Sequence, residues 1–228
     1  MYQYLLKPLF FKFNPEKVHD FMVWFGKLAG KSIVSRSAIG LVYNYEGKHK
    51  AKVVDGITYR TPFVLSAGFD YNANLMNILP SIGLAGEEVG SVTARPCKGN
   101  PAPQLTRLPK SKSILVNKGL KNDGVDAVIE RIKKNRKTEA FFVLGVSIAR
   151  TNDPEASKSI QAGIDGYVYS FKRLNEEKVG DYYTINISCP NAFGGETFTN
   201  PDLLQDLLRA LKTVECKKPV YVKMPINI

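Results

Sequence analysis

The sequence predicts an α/β chain built on a parallel sheet and preceded by an amphipathic helical segment. Three observations predict it. Short β-branched, apolar runs alternate with longer runs of helical period. Several of the apolar runs end in Gly, Pro or Asn, as strands entering a loop do. The first 35 residues carry helix-start chemistry and aromatic residues at helical spacing, with lysines between them. The 228 residues are 44% apolar and 23% charged. That suits one large domain or two small ones, with enough apolar content for a core.

Residues 1–35 read as two short helices. Pro8 sits in the first turn of one, followed by Leu9, Phe10, Phe11 and Phe13. Asn14-Pro15-Glu16 starts the second with a cap, a proline at the first helical position and an acid in the first turn. Val18, Phe21, Met22, Phe25 and Leu28 follow at helical spacing, and Gly30 is the expected stop. Lys7, Lys12, Lys17, Lys27 and Lys31 flank these positions. The pattern suits helices lying in a membrane interface, and equally helices packing on their own domain. Residues 51–63 read as a hairpin turning at Asp55-Gly56. Phe63–Ala67 is a strand ending at Gly68, 72–82 a helix, Glu87–Thr93 a strand, and Arg95 to Pro109 a loop punctuated by Pro96, Pro101 and Pro103. Residues 122–135 are helical, Phe141–Ile148 is an apolar strand, 154–176 are helical, and 182–188 form the next strand. Asn200-Pro201 opens a helix with Leu203, Leu204, Leu207, Leu208 and Leu211 on one face, and Val220–Met224 is the last strand. This order implies right-handed βαβ units, with chemistry at the carboxyl ends of the strands. Ala67-Gly68-Phe69-Asp70, Gly90-Ser91 and the segment from Asn186 all fall there.

The net charge of +11 suits an anionic partner or a solvated lysine-rich face. The basic residues are spread along the chain without interleaved aromatics, so nucleic acid is not an expected partner. Cys97, Cys189 and Cys216 are widely spaced and odd in number, which argues against a disulfide framework and for a reducing compartment. The two histidines are His19 and His49. Without HExxH or paired CxxC, no metal site is expected. The chain has no P-loop and no G-x-G-x-x-G after a strand. No apolar run is long enough to span a bilayer. The apolar N-terminus is interrupted by Pro8 and lacks a small-residue cleavage site, so it does not read as a signal peptide.

The stretch with most chemistry is Asn186-Ile187-Ser188-Cys189-Pro190-Asn191-Ala192-Phe193-Gly194-Gly195. It follows the β-branched, aromatic run Tyr182-Tyr183-Thr184-Ile185. A lone cysteine is commonly a small buried hydrophobe, and Asn and Pro are ordinary turn residues. Here two carboxamides flank a thiol at a strand terminus. Amides both donate and accept, and a thiol can carry a proton near neutral pH. That set suits a flat, amide-like heterocycle.

These residues resemble class 2 dihydroorotate dehydrogenases. The resemblance is carried by Met1 to Phe25 with Asn14-Pro15-Glu16-Lys17-Val18-His19, and by Ala67-Gly68-Phe69-Asp70. It continues through Glu88-Val89-Gly90-Ser91-Val92-Thr93-Ala94-Arg95-Pro96, Gly99-Asn100-Pro101, Arg107-Leu108 and Asn186 to Asn191, in collinear order over nearly the whole chain. It implies a (β/α)8 TIM barrel that binds FMN and oxidises dihydroorotate to orotate in pyrimidine biosynthesis. Electrons then pass to a membrane quinone, and the enzyme sits peripherally on the cytoplasmic side of the cell membrane. By position, Cys189 is implied as the base that takes the C5 proton, with hydride leaving C6 for the flavin. Asn117, Asn186 and Asn191 are implied as substrate ligands. Ala67, Gly68, Ser91, Asn186 and Lys223 are implied as FMN contacts, with the charge of Lys223 stabilising the reduced flavin. His19 and Arg107 match positions along the quinone passage. Lys223 lies inside an apolar strand and is expected to be buried there rather than on the surface.

The chain departs from the family pattern in several places. Cys189 stands where class 2 members carry serine, so a class 2 front end is joined to a class 1 type of base. A thiol ionises near pH 8.5, far below a hydroxyl. Tyr71 replaces the family's lysine, Ser147 an asparagine, and Asn117-Lys118-Gly119-Leu120 is one residue shorter than the family's substrate loop. About five barrel strands precede Ile228, where a closed barrel has eight. The expectation is therefore a barrel truncated after about five strands (36–228) behind a helical, membrane- and quinone-associated extension (1–35), with the activity of these residues alone left open. Two other readings stand beside it: a related FMN barrel acting on another cyclic amide, and a non-catalytic membrane-binding half-barrel.

Overall fold

The computed structural model describes residues 2–44, 51–136, 142–157 and 159–226. A π-helical turn, Tyr2–Leu6, runs into α1 (Lys7–Phe10), which has Pro8 in its first turn. α2 (Pro15–Lys31) starts as expected: the Asn14 side chain accepts the N–H groups of Glu16 and Lys17 at 2.8 and 3.2 Å. It ends at Lys31, one residue beyond the expected stop at Gly30. A Cβ there would lie 3.1 Å from the Asn77 Cβ and 3.3 Å from the Ile78 nitrogen. The glycine thus lets α2 approach the segment following Asp70. α3 (Ile33–Tyr43) follows, capped by Ser32, whose hydroxyl accepts from the Ser35 N–H. The sequence pattern does not mark this helix. Its β-branched residues favour a helix weakly, and Ile33, Val34, Leu41 and Val42 face solvent. The helix runs across position 35, where the pattern places the end of the helical extension.

β1 (Lys52–Val54) and β2 (Ile57–Tyr59) form the expected hairpin, with Asp55 and Gly56 at φ 47° and 78°. β3 (Val64–Leu65) is shorter than expected. The helix expected over 72–82 is absent, and only a 3₁₀ turn, Leu79–Ile82, forms. Asp70 is the physical reason. Its carboxylate accepts the N–H groups of Asn72 at 3.2 Å and Leu75 at 2.5 Å, capturing donors a helix would use. β4 (Gly86–Val92) follows. The loop expected from Arg95 to Pro109 contains β5 (Leu105–Leu108), which pairs antiparallel with β6 (Ser113–Val116). The three prolines precede this strand rather than interrupt it.

α4 (Val125–Asn135), β7 (Val143–Ile148), α5 (Pro154–Ser157), α6 (Ile160–Glu176), β8 (Tyr182–Asn186), α7 (Pro201–Leu211) and β9 (Val220–Lys223) complete the alternation. The helix expected over 154–176 is therefore two, the second capped by Ser159. β8 stops at Asn186 rather than 188, because Asn186 Oδ1 accepts the Ser188 N–H at 3.1 Å and its hydroxyl at 2.9 Å. His49 and Phe141 lie outside the described residues.

β3, β4, β7, β8 and β9 lie side by side in chain order, all parallel. They form an open sheet, the partial (β/α) barrel the sequence predicts, with β3 and β9 at its edges. One face packs Val89, Leu144, Val146, Tyr183 and Ile185 against Ile129 of α4, Phe171 of α6 and Leu207 of α7. On the other face Thr184 donates to Glu88 at 2.9 Å. A smaller cluster of Ala29, Leu75, Ile78 and Leu79 fixes α2 and α3 to the β3 end of the sheet. The outer side of these helices leaves Phe21, Trp24, Phe25 and Leu28 in solvent beside exposed Lys27 and Lys31. No helix among the described residues is long and apolar enough to cross a membrane.

Candidate active site

Because the five strands are parallel, their carboxyl ends share one rim. Ala67 and Gly68 follow β3, and the Gly68 N–H donates to the Gly90 carbonyl at 2.8 Å. A Cβ on Gly68 would meet nothing within 4 Å, so the backbone here borders open space. Asn186 Nδ2 donates to Ser91 Oγ at 2.8 Å, and the Ser91 and Ser147 hydroxyls are 2.8 Å apart. This chain of side chains crosses β8, β4 and β7 and is buried. Lys223 is the register partner of Asn186 on β9. The expectation of a buried Lys223 is corrected: β9 is an edge strand, and Lys223 is exposed at its end.

Cys189 is half-buried in the loop beyond β8, outside the apolar core. Burial pushes its thiol above the ordinary value of 9.0. The backbone N–H groups of Asn191 and Ala192 and the charge of Lys223 act the other way, while Glu196 adds to the rise. Asn117 and Asn191 are brought together by a residue that sequence reasoning assigned no role. Asn100 Nδ2 donates to Asn117 Oδ1 at 2.7 Å and to the Asn191 carbonyl at 2.9 Å. Asn191 Nδ2 donates in turn to the Val116 carbonyl at 2.9 Å. Asn152, likewise missed, donates to Asn100 Oδ1 at 3.2 Å and to the Gly119 carbonyl at 2.9 Å. Both lie in Asn-Pro or Asn-Asp-Pro stretches that read as plain turns.

His19 Nε2 donates to the Phe69 carbonyl at 3.0 Å, and its ring stacks on Tyr71 at 5.9 Å. The Lys118 ammonium, its acidity raised by burial, lies 5.0 Å from the Tyr71 ring. Burial likewise pushes the Tyr71 hydroxyl up to about 12. A cavity of about 240 Å³ opens between α2 and this loop, lined by His19, Val23, Trp24, Phe69, Tyr71 and Asn74 among others. Arg107 is not among its walls. It donates to the Phe10 and Phe13 carbonyls at 3.0 and 2.9 Å and covers the Phe11 ring at 4.6 Å. Glu16 accepts the Gln104 and Leu105 N–H groups at 2.7 and 3.3 Å. The helical segment is thus fastened to β5 from both sides.

The donor set fits a flavin ring. The polar chain Ser147–Ser91–Asn186, the open backbone at Ala67-Gly68 and the cationic Lys223 follow one another around the rim, and such a ring offers both amide acceptors and an N–H donor. Among the described residues no group of His, Cys, Asp and Glu could hold a metal ion.

Residues 50–228 match the family model for dihydroorotate dehydrogenase. The chain is 31% identical over 228 residues to a dihydroorotate dehydrogenase (quinone) from Christiangramia forsetii, covering 99% of this chain and 64% of that protein. It is 30% identical over 208 residues to one from Acinetobacter baumannii, covering 91% and 57%. The crystal structure of the ligand-free DHODH of Eimeria tenella aligns with a TM-score of 0.73 at 28% identity, covering 94% of this chain and 62% of that one. The ferulenol complex from the same organism aligns with a TM-score of 0.70 at 29% identity, covering 87% and 50%. The chain thus spans 57–64% of the length of these two curated relatives.

Proposed function

The chain belongs to the dihydroorotate dehydrogenase family, and from that premise we propose that its strand ends form the pyrimidine- and flavin-facing wall of a site that oxidises dihydroorotate to orotate. The observation that carries the reading is the half-buried Cys189 thiol in the loop beyond β8, with Asn186 at the end of that strand and the Asn100 carboxamide tying Asn117 to the Asn191 carbonyl two residues beyond the thiol. Ala67, Gly68, Ser91, Asn186 and Lys223 would hold FMN. When bound, FMN supplies the acceptor for the hydride leaving C6. The chain's own residues do the rest. Asn117, Asn186 and Asn191 orient the ring through its amide edge, and Cys189 as thiolate removes the C5 proton. The test is anaerobic mixing of the FMN-loaded protein with dihydroorotate. Bleaching of the flavin absorbance supports the reading, and an unchanged spectrum contradicts it.

The second half of the proposal is delivery of electrons to a membrane quinone, with the protein lying on the cytoplasmic surface of the membrane. The exposed Phe21, Trp24, Phe25 and Leu28 beside Lys27 and Lys31 support it, as does the cavity behind them that His19 lines. Phe21→Glu combined with Trp24→Glu removes two side chains whose burial in lipid contributes roughly 1.5–3 kcal/mol each. The double variant is expected to lose more than tenfold of its partitioning onto anionic vesicles in flotation assays, while thermal unfolding stays unchanged. A family enzyme acting on another cyclic amide is favoured by Tyr71, whose ring is covered by His19 and Lys118 where the family's lysine meets substrate. Faster flavin reduction by dihydrouracil than by dihydroorotate would select that reading.

A further inference from the structure

Arg150 leaves the end of β7 as a nearly buried side chain, 5% exposed. Its Nη2 donates to the Phe193 carbonyl, and its guanidinium faces the Phe198 ring at 6.0 Å. Nη1 is buried with no hydrogen-bond partner among the described residues. The slot is built from glycines. A Cβ on Gly163 would stand 2.9 Å from Arg150 Cδ, and one on Gly194 would stand 3.2 Å from Nη2. A buried, incompletely paired cation is costly, so its retention calls for a task. Two residues on, Asn152 Oδ1 accepts the Phe193 N–H at 2.6 Å. The Phe193 backbone is therefore held at its nitrogen and its oxygen by one short segment. Asn152 also reaches Asn100, which holds the Asn191 carbonyl. The two grips bracket Ala192.

We propose that Arg150 and Asn152 are positioning residues that clamp the Phe193 backbone and thereby hold the turn that carries Cys189, in which the Ala192 N–H donates to the Cys189 carbonyl at 3.4 Å. The backbone N–H groups of Asn191 and Ala192 favour the thiolate, and a loosened turn shifts them relative to it. The other titratable groups that act on the thiol are Lys223 of β9, Glu196 of the loop itself and Tyr167 of α6, whose hydroxyl donates to the Asn186 carbonyl at 2.8 Å. Arg150 acts through the loop rather than on the thiol directly.

The clamp bears on catalysis through the reading of Cys189 as proton acceptor, but thiol labelling reads the clamp by itself. Iodoacetamide labelling of the full chain is followed across the alkaline range by mass spectrometry, with Cys216 as internal reference. In Arg150→Met the titration midpoint of Cys189 is expected to rise by about one unit, and labelling near neutral pH to slow about tenfold. Arg150→Lys, which can still donate to the Phe193 carbonyl, is expected to restore most of the rate, and Cys216 to keep its own. Asn152→Ala removes the other half of the clamp and decides the matter if Arg150→Met does not fold. An unchanged Cys189 midpoint, or Cys189 and Cys216 accelerating together, overturns the clamp. A raised midpoint with undiminished dihydroorotate oxidation overturns the catalytic reading of Cys189 instead.

Discussion

Replacing Cys189 by alanine is expected to slow flavin reduction by dihydroorotate about 10²–10⁴-fold, the range a positioned general base contributes. The loss follows from geometry. Cys189 is the cysteine at the rim, whereas Cys97 is buried and donates to the Gly119 and Asn152 carbonyls at 3.5 and 3.4 Å. Cys216 belongs to the apolar edge of the core. As the proposed base, Cys189 would act as the thiolate, and burial pushes the thiol above its ordinary value of 9.0. The rate should therefore rise with pH through neutrality and level off only above that value. Cys189→Ser should keep a small fraction of the rate with a more alkaline profile, because a hydroxyl ionises far above a thiol. Stopped-flow reduction across pH checks both. Equal rates in the alanine variant and the parent would remove Cys189 from the mechanism.

The second large effect concerns stability. Glu87 on β4 is fully buried, and neither carboxylate oxygen has a hydrogen-bond partner among the described residues. Burial first, then the nearby Asp70 carboxylate, push its carboxyl well above its ordinary value of 4.5. The folded chain thus keeps a proton that the unfolded chain releases above 4.5. The stability this confers is present below that pH and is lost as pH rises toward the folded value. Glu87→Leu removes both the unsatisfied polar atoms and the linkage. It is expected to stabilise the fold at pH 8 by about 1–3 kcal/mol, or roughly 2–10 °C in Tm. The gain should be smaller at pH 5. Thermal unfolding at the two pH values checks this, and a variant destabilised at both would show that the carboxyl has a role the surrounding contacts do not reveal.

Much of the fold was legible because it rests on local chemistry. Asn14-Pro15-Glu16 starts a helix by capping, Asp55-Gly56 makes a hairpin turn, and the apolar runs of β7 and β8 are strands buried on both faces. What stayed hidden depends on partners distant in sequence. The Asp70 carboxylate diverts the segment after it from a helix, which no period of apolar residues reveals. Lys223 ends an apolar strand, yet it is exposed because β9 lies at the edge of the sheet. Of the site, Cys189, Asn186 and Asn191 announce themselves as a cluster, and Ser91 at a strand end. Asn100 and Asn152 gain their roles only from contacts with residues 91 and 41 positions away. Arg150 reads as an ordinary charged residue until the two glycines beside it are seen to make its slot.

The most direct measurement is substrate protection of the thiol. Cys189 and Cys216 are labelled with iodoacetamide in the presence of FMN, with and without saturating orotate, and quantified by mass spectrometry. A ligand seated on the carboxamide cluster should slow labelling of Cys189 at least tenfold and leave Cys216 unaffected. Equal labelling of Cys189 with and without orotate would mean that no pyrimidine sits before the sulfur, and the assignment of this rim as an active site would fail.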